Sequence, residues 1–228
     1  MPDALSKPIV CYVTDRKSLG PSESAGRVLE TIRAAMSAGV DCVQIREKDM
    51  PARELLELAR QAVGAAIVRA VMDEACAEVR VVVNDRLDIA LTAGAAGVHL
   101  GRESVPARDV IQWCRSGNAP AEFLVGVSCH SLEDAREAER AGASYIFFGP
   151  VFDTPSKRAL GPPQGIGHLA EICRVLQVPV IAIGGVNQEN GAECFRMGAA
   201  GVAAIRLFQE TTDPTTLADI VASFHRAA

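Results

Sequence analysis

The cations of this chain recur at one kind of place. Arg46, Lys48, Arg86, Arg102, Lys157, Arg158 and Arg206 each follow a short apolar run, in a protein of formal net charge −5. Fixed guanidinium and ammonium groups beside backbone amides make a site for phosphate or diphosphate. Gly184-Gly185, directly after the run Val180–Ile183, is a second anion-binding candidate. Without side chains its N–H groups can approach a phosphate closely; the other reading is a plain tight turn. Asp85, next to Asn84, is a candidate Mg2+ ligand, because a hard cation is commonly held by one or two carboxylates together with phosphate oxygens. Asp is also a favoured helix N-cap, so both roles stay open. His99 and His130, two of the four histidines, also end apolar runs. A lone histidine is more often hydrogen-bonded structure than catalyst. Ser128 lies in no G-x-S-x-G elbow, which argues against a serine hydrolase.

A repeated phrase positions these residues. A small turn precedes an apolar run at Ala38-Gly39, Ala93-Gly94, Ala141-Gly142 and Met197-Gly198, with glycine spacings of 55, 48 and 56 residues. Each glycine fits a helix C-terminal cap, where a left-handed backbone costs it little. The runs that follow are apolar on successive residues, as in strands buried on both faces. Further short runs at Ile9–Val13, Val81–Val83, Phe123–Val127 and Val180–Ile183 bring the strands to eight. Val28, Leu29, Ile32, Ala35 and Met36 share a helical face, as do Leu217, Ile220, Val221 and Phe224. Ser131-x-x-Asp134 reads as a capping box. Eight strand–helix units predict an α/β fold, a single (β/α)8 TIM barrel over residues 1–228 with its core at about 9–226, rather than an open doubly wound sheet. In such barrels the active site lies at the C-terminal ends of the strands, where the residues above fall.

Composition narrows the classes. Apolar residues make up 49% of the 228 and charged residues 22%, a globular balance. No apolar run approaches the roughly 18 residues of a membrane helix. The start, Met1-Pro2-Asp3-Ala4, has no basic head or apolar stretch, so no secretory signal is expected. A mildly acidic chain with only ten aromatic residues argues against a nucleic-acid partner. Seven scattered cysteines form no C-x-x-C pair, which fits reduced thiols in a cytoplasm.

In order along the chain, Gln44-Ile45-Arg46-Glu47-Lys48, Asn84-Asp85-Arg86, Gly97-Val98-His99-Leu100-Gly101, Gly126-Val127-Ser128, Gly149-Pro150-Val151-Phe152-x-Thr154-x-Ser156-Lys157 and Ile183-Gly184-Gly185 resemble the thiamine phosphate synthase and thiazole tautomerase superfamily. The set runs from about residue 9 to 206. The resemblance implies a transferase that joins hydroxymethylpyrimidine diphosphate to thiazole phosphate and releases diphosphate, acting on small phosphorylated substrates with Mg2+. It implies that Gln44 holds the pyrimidine, and that Arg46, Lys48, Asn84 and Lys157 hold the diphosphate with Ser128 beside it. His99 and His130 join the substrate-binding set. Thr154, Ser156, Gly185 and the Ile205-Arg206 turn would hold the thiazole phosphate. Arg46, Lys48, Ser128 and Lys157 are the expected catalytic groups, and Asp85 the metal ligand.

Two positions depart from the family pattern. Its second metal carboxylate is here Ser104, a poorer Mg2+ ligand, and the Gln two residues earlier is Arg102. The usual Ile-Ser at the end of strand 8 is Ile205-Arg206. A thiazole tautomerase using His130 as acid or base is the alternative enzyme, and a non-catalytic barrel that binds a thiamine precursor is the alternative outside catalysis.

Overall fold

The computed structural model describes residues 8–20, 24–72, 78–154 and 162–227. Eight strands alternate with helices: β1 (Ile9–Val13), α1 (Ala25–Ser37), β2 (Cys42–Ile45), α2 (Ala52–Met72), β3 (Arg80–Asn84), α3 (Leu87–Ala93), β4 (Gly97–Leu100), α4 (Ala107–Trp113), β5 (Leu124–Cys129), α5 (Leu132–Ala141), β6 (Tyr145–Phe148), α6 (Gly165–Val175), β7 (Val180–Ile183), α7 (Gly191–Arg196) and β8 (Gly201–Ala204). A short α8 (Arg206–Glu210) and α9 (Pro214–His225) follow. Every strand pairs in parallel with the next, and β8 returns to β1 through Ile9↔Gly201 and Cys11↔Ala203, closing the barrel. All eight C-terminal strand ends therefore open at one mouth.

Side chains alternate across the wall. Cys11, Val13, Tyr145, Phe147, Ile181 and Ala203 form a core inside the cylinder. Their neighbours Val10, Tyr12, Ile146, Phe148, Val180, Ala182, Val202 and Ala204 face outward into a larger core. There they meet the predicted stripes of α1 and α9, including Ile32, Met36, Leu217 and Phe224. This double burial makes the strands continuously apolar in sequence. Following the same alternation, Gln44 succeeds Cys42, and Ser128 succeeds Leu124 and Gly126, on inward positions near the mouth. There the lining changes from apolar to polar.

The caps carry the predicted geometry. Gly39, Gly94, Gly142 and Gly198 have φ of 97°, 68°, 91° and 92°. Ser131 Oγ accepts from the Asp134 N–H at 3.0 Å and opens α5. The Asp134 carboxylate accepts from the His130 N–H at 3.2 Å, one residue before the position a regular capping box uses. Two strands run longer than the apolar pattern indicates: β3 includes Asn84, and β5 continues through Ser128 to Cys129. Ser128 pairs in register with Phe147 and Cys129 with Phe148, so backbone pairing continues where hydropathy falls. Among the described residues Cys11, Cys42, Cys114, Cys129, Cys173 and Cys194 are free thiols; Cys76 lies outside the described residues.

Phe147 fills the middle of the inner core and is 2% exposed. Phe147→Ala should cost about 3–5 kcal/mol, the range for a large aromatic removed from a packed interior. The check is a lowered urea midpoint at unchanged denaturant slope.

Candidate active site

On the β2–β4 side of the mouth, four polar residues form one chain. Gln44 Nε2 donates to Asn84 Oδ1 at 2.8 Å, and Asn84 Nδ2 donates to Asp85 Oδ2 at 2.6 Å. Asp85 Oδ1 accepts from the Gly101 N–H at 3.2 Å and from the Ser104 hydroxyl. The Gly101 N–H also reaches Ser104 Oγ at 2.7 Å. Asp85 sits at φ 60°, an uncommon conformation for a residue with a side chain. It is not a helix cap: the N-cap position of α3 belongs to Arg86, with no side-chain cap bond. The Asp85 carboxylate instead faces the loop after β4.

This chain has a direction. An ionised carboxylate only accepts hydrogen bonds, so Asn84 must present its NH2 to Asp85 and its oxygen to Gln44. Gln44 then uses its NH2, and Gln44 Oε1 is left without a hydrogen-bond partner among the described residues. Gln44 is 2% exposed. An unpaired buried acceptor costs about 1–3 kcal/mol, so its occurrence at a barrel mouth asks for a ligand that donates.

On the neighbouring strand β4, in register with Asn84, His99 lies between Ser128 Oγ, 2.8 Å from Nε2, and Tyr145 Oη, 3.2 Å from Nδ1. Its ring packs on Phe147 with centroids 4.4 Å apart. Burial pulls the His99 pKa down to about 3, so the imidazole is neutral. His99 is fully buried, and both ring nitrogens are engaged with protein groups. Tyr145 has no place among the residues the motifs single out. Its signal is positional: it occupies an inward site in register with Gly126.

Glu47 is the other residue that motif reading passes over. Between Arg46 and Lys48, it is buried and accepts the Arg16 N–H with both oxygens at 3.1 Å, and the Arg16 guanidinium at 3.3 Å. Burial raises the Glu47 pKa, opposed by hydrogen bonds from Thr14 and Arg16. Arg16 also meets Asp49 at 2.6 Å, and the Arg46 N–H donates to Thr14 Oγ1 at 2.9 Å. The Asp49 carboxyl is held well below its usual range by Arg16 and Lys17. The turn after β2 is thereby fastened to the segment after β1. Among the described residues, the side chains of Arg46 and Lys48 show no ion pair. Arg102, in the loop after β4, likewise shows none.

Two of the cations grouped by sequence have local partners. Arg86 forms a two-pronged pair with Asp88, at 2.8 and 2.6 Å, and so is neutralised two residues away. Arg206 opens α8, next to Ile205, with its side chain half-exposed and 4.0 Å from Glu210.

On the β6–β7 side, Val151 N–H donates to the Ile183 carbonyl and Phe152 N–H to the Gly184 carbonyl, both at 2.9 Å. Gly185 has φ 69°, and a Cβ there would lie 2.6 Å from the Asp153 carbonyl oxygen and 2.7 Å from Phe152 Cβ. Only glycine lets these two loops close on each other. Asn190 Nδ2 holds the Gly185 carbonyl at 3.0 Å. His130 Nδ1 bonds the Gly149 carbonyl oxygen. Thr154 is half-buried in the same loop; Ser156 and Lys157, with Arg158, lie outside the described residues.

Glu47→Ala should cost about 2 kcal/mol, less than the 3–5 kcal/mol of a fully buried broken pair because Arg16 keeps some solvent. Denaturant unfolding measures this, and limited proteolysis should show faster cleavage near Arg46–Asp49.

Known proteins share this architecture and sequence. The family model described as thiamine monophosphate synthase matches residues 10–208. A Geobacter sulfurreducens relative is 45% identical over 202 residues, covering 89% of this chain and 87% of its own. The thiamine-phosphate synthase of Roseiflexus sp. strain RS-1 is 41% identical over 206 residues, covering 90% of this chain and 80% of its own. The solved structure of thiamine phosphate pyrophosphorylase from Pyrococcus furiosus superposes with a TM-score of 0.79 at 28% identity, covering 96% of this chain and 95% of that one. With the closed barrel and the polar mouth described above, these likenesses lead to one assignment: the chain belongs to the thiamine monophosphate synthase family.

Proposed function

We propose that the mouth of the barrel binds hydroxymethylpyrimidine diphosphate and thiazole phosphate and joins them. The chain is a thiamine-phosphate synthase, a transferase that releases diphosphate. The observation that carries the site reading is the buried Gln44 Oε1, which has no hydrogen-bond partner among the described residues, in a mouth that also carries Arg46 and Lys48. An aminopyrimidine supplies the missing donor, and a diphosphate the missing anion.

The reaction asks mainly for electrostatics. The bond from the benzyl-like carbon to the diphosphate oxygen breaks, and the electron pair leaves with diphosphate. Arg46, Lys48 and Lys157 oppose the charge that grows there, and Ser128 donates a hydrogen bond to it. The amino group on the pyrimidine spreads the positive charge left on carbon, and Gln44 accepts from that group. The thiazole nitrogen then supplies the pair for the new carbon–nitrogen bond, so no protein nucleophile is needed. Thr154, Ser156, Gly185, Ile205 and Arg206 are the proposed holders of the thiazole phosphate, with the loops after β6 and β7 already closed on each other. His130, on which the tautomerase alternative rests, spends Nδ1 on the Gly149 carbonyl, and the coupling reaction asks no proton transfer of it.

Asp85 and Ser104 offer a carboxylate and a hydroxyl in direct contact, oxygen donors that suit Mg2+. The described residues include no group of three His, Cys, Asp or Glu side chains able to hold a metal. The donor set therefore fits a cation that takes most of its ligands from diphosphate and water. Bound there, Mg2+ would neutralise part of the leaving group's charge. No helix among the described residues is long and apolar enough to cross a membrane.

Incubating the purified protein with both substrates and Mg2+ should yield thiamine phosphate and diphosphate in equal amounts by mass spectrometry. Absence of product from folded protein overturns the assignment. Arg46→Ala should lower kcat at least about tenfold.

The Mg2+ concentration for half-maximal rate should rise in Asp85→Asn, which weakens the one carboxylate, and fall in Ser104→Asp, which adds a second. An unchanged Mg2+ requirement in Asp85→Asn would remove Asp85 from the metal site.

A further inference from the structure

Three inward positions stand in one row across the wall: His99 pairs with Gly126, and Gly126 with Tyr145. A Cβ on Gly126 would run into the Tyr145 ring, with Cε2 at 2.6 Å and the hydroxyl closer still. The bare position on β5 lets the Tyr145 ring cross that strand and bring its hydroxyl to His99 Nδ1. The next inward residue of β5 is Ser128, whose hydroxyl lies at the other ring nitrogen.

The protons in this row have one consistent order. Tyr145 is 7% exposed, and burial keeps its phenol protonated. Its hydroxyl has one hydrogen-bond partner among the described residues, His99 Nδ1. If Nδ1 carried a proton, the phenol hydrogen would lie in an apolar core with nothing to accept it. Nδ1 therefore accepts, and in a neutral imidazole the ring proton must sit on Nε2. Nε2–H then donates to Ser128 Oγ, and the hydrogen of Ser128 is free to turn away from His99. Ser128 is half-buried at the mouth.

We propose that Tyr145 and His99 are positioning residues that hold Ser128 as a hydrogen-bond donor toward the diphosphate of the substrate. The inference rests on the synthase reading of the site. Reversed polarity would turn the Ser128 hydrogen onto His99 and leave only its lone pairs facing an anion. Gly126 is part of the device, because it clears the path of the Tyr145 ring.

The tautomer is measurable without turnover. In the full-length protein labelled with 15N-histidine, long-range 1H–15N correlation should show His99 with an unprotonated Nδ1 and a protonated Nε2. A wild-type Nδ1–H tautomer overturns the proposal, whatever any variant does. In Tyr145→Phe nothing donates to Nδ1, so the tautomer is no longer fixed and the Nδ1–H form should become measurably populated. Gly126→Ala, which displaces the same ring, should have the same effect.

Tyr145→Phe should lower kcat about tenfold with the wild-type sequence elsewhere, and by less than twofold in a Ser128→Ala background. Equal losses in both backgrounds would show Tyr145 acting through general packing and sink the relay. The two readings separate cleanly. The tautomer tests the relay alone, whereas full activity of Ser128→Ala beside the expected tautomer would overturn the role given to Ser128 in the reaction.

Discussion

The pairing of Ile9–Tyr12 with Gly201–Ala204 turns a sheet into a cylinder, and the site depends on that closure. Once the ladder is closed, no strand can slip by one residue without turning its outward apolar set inward. The alternation that buries Cys11, Phe147 and Ile181 inside also decides that Gln44 and Ser128 face the interior. The polar mouth is thus a continuation of the apolar lumen, made by the same register one layer higher.

Two polar chains rise through that layer, each ordered by a terminus with one hydrogen-bonding role. One ends on Asp85, whose carboxylate only accepts, and it leaves a bare acceptor at Gln44 Oε1. The other begins at Tyr145, a buried hydroxyl that must donate, and it delivers a donor at Ser128. An acceptor suited to an amino group, on β2, and a donor suited to an anion, on β5, therefore emerge at one mouth, their chains meeting where Asn84 and His99 pair on adjacent strands. Glu47 complements both by fastening the turn that carries Arg46 and Lys48, so these cations need little reorganisation before a ligand arrives.

Much of this was legible in residue order. The glycine-led phrases located four helix ends, and their spacing implied paired strand–helix units and so a barrel. Because barrel chemistry sits at the C-terminal strand ends, Gln44, Arg46, Asp85, His99 and Ser128 stand out in the sequence. What residue order hid was register. Glu47 reads as one more loop charge until Arg16, 31 residues away, is placed against it. Tyr145 reads as core because its role depends on Gly126 standing beside it on the next strand. Arg86 errs in the other direction: proximity to the mouth suggested an anion site, yet Asp88 two residues later takes its charge. Ser128 reads as following its strand because hydropathy falls there, although its ladder with β6 continues.

The buried oxygen of Gln44 also bears on selectivity. Buried and unable to turn without breaking the Asn84–Asp85 chain, it penalises any ring that cannot offer a proton at that point. A ligand of equal shape and charge lacking that proton would forgo about 1–3 kcal/mol, roughly five- to 150-fold in affinity. Discrimination then comes less from a tight wall than from one hydrogen bond that the protein leaves unmade.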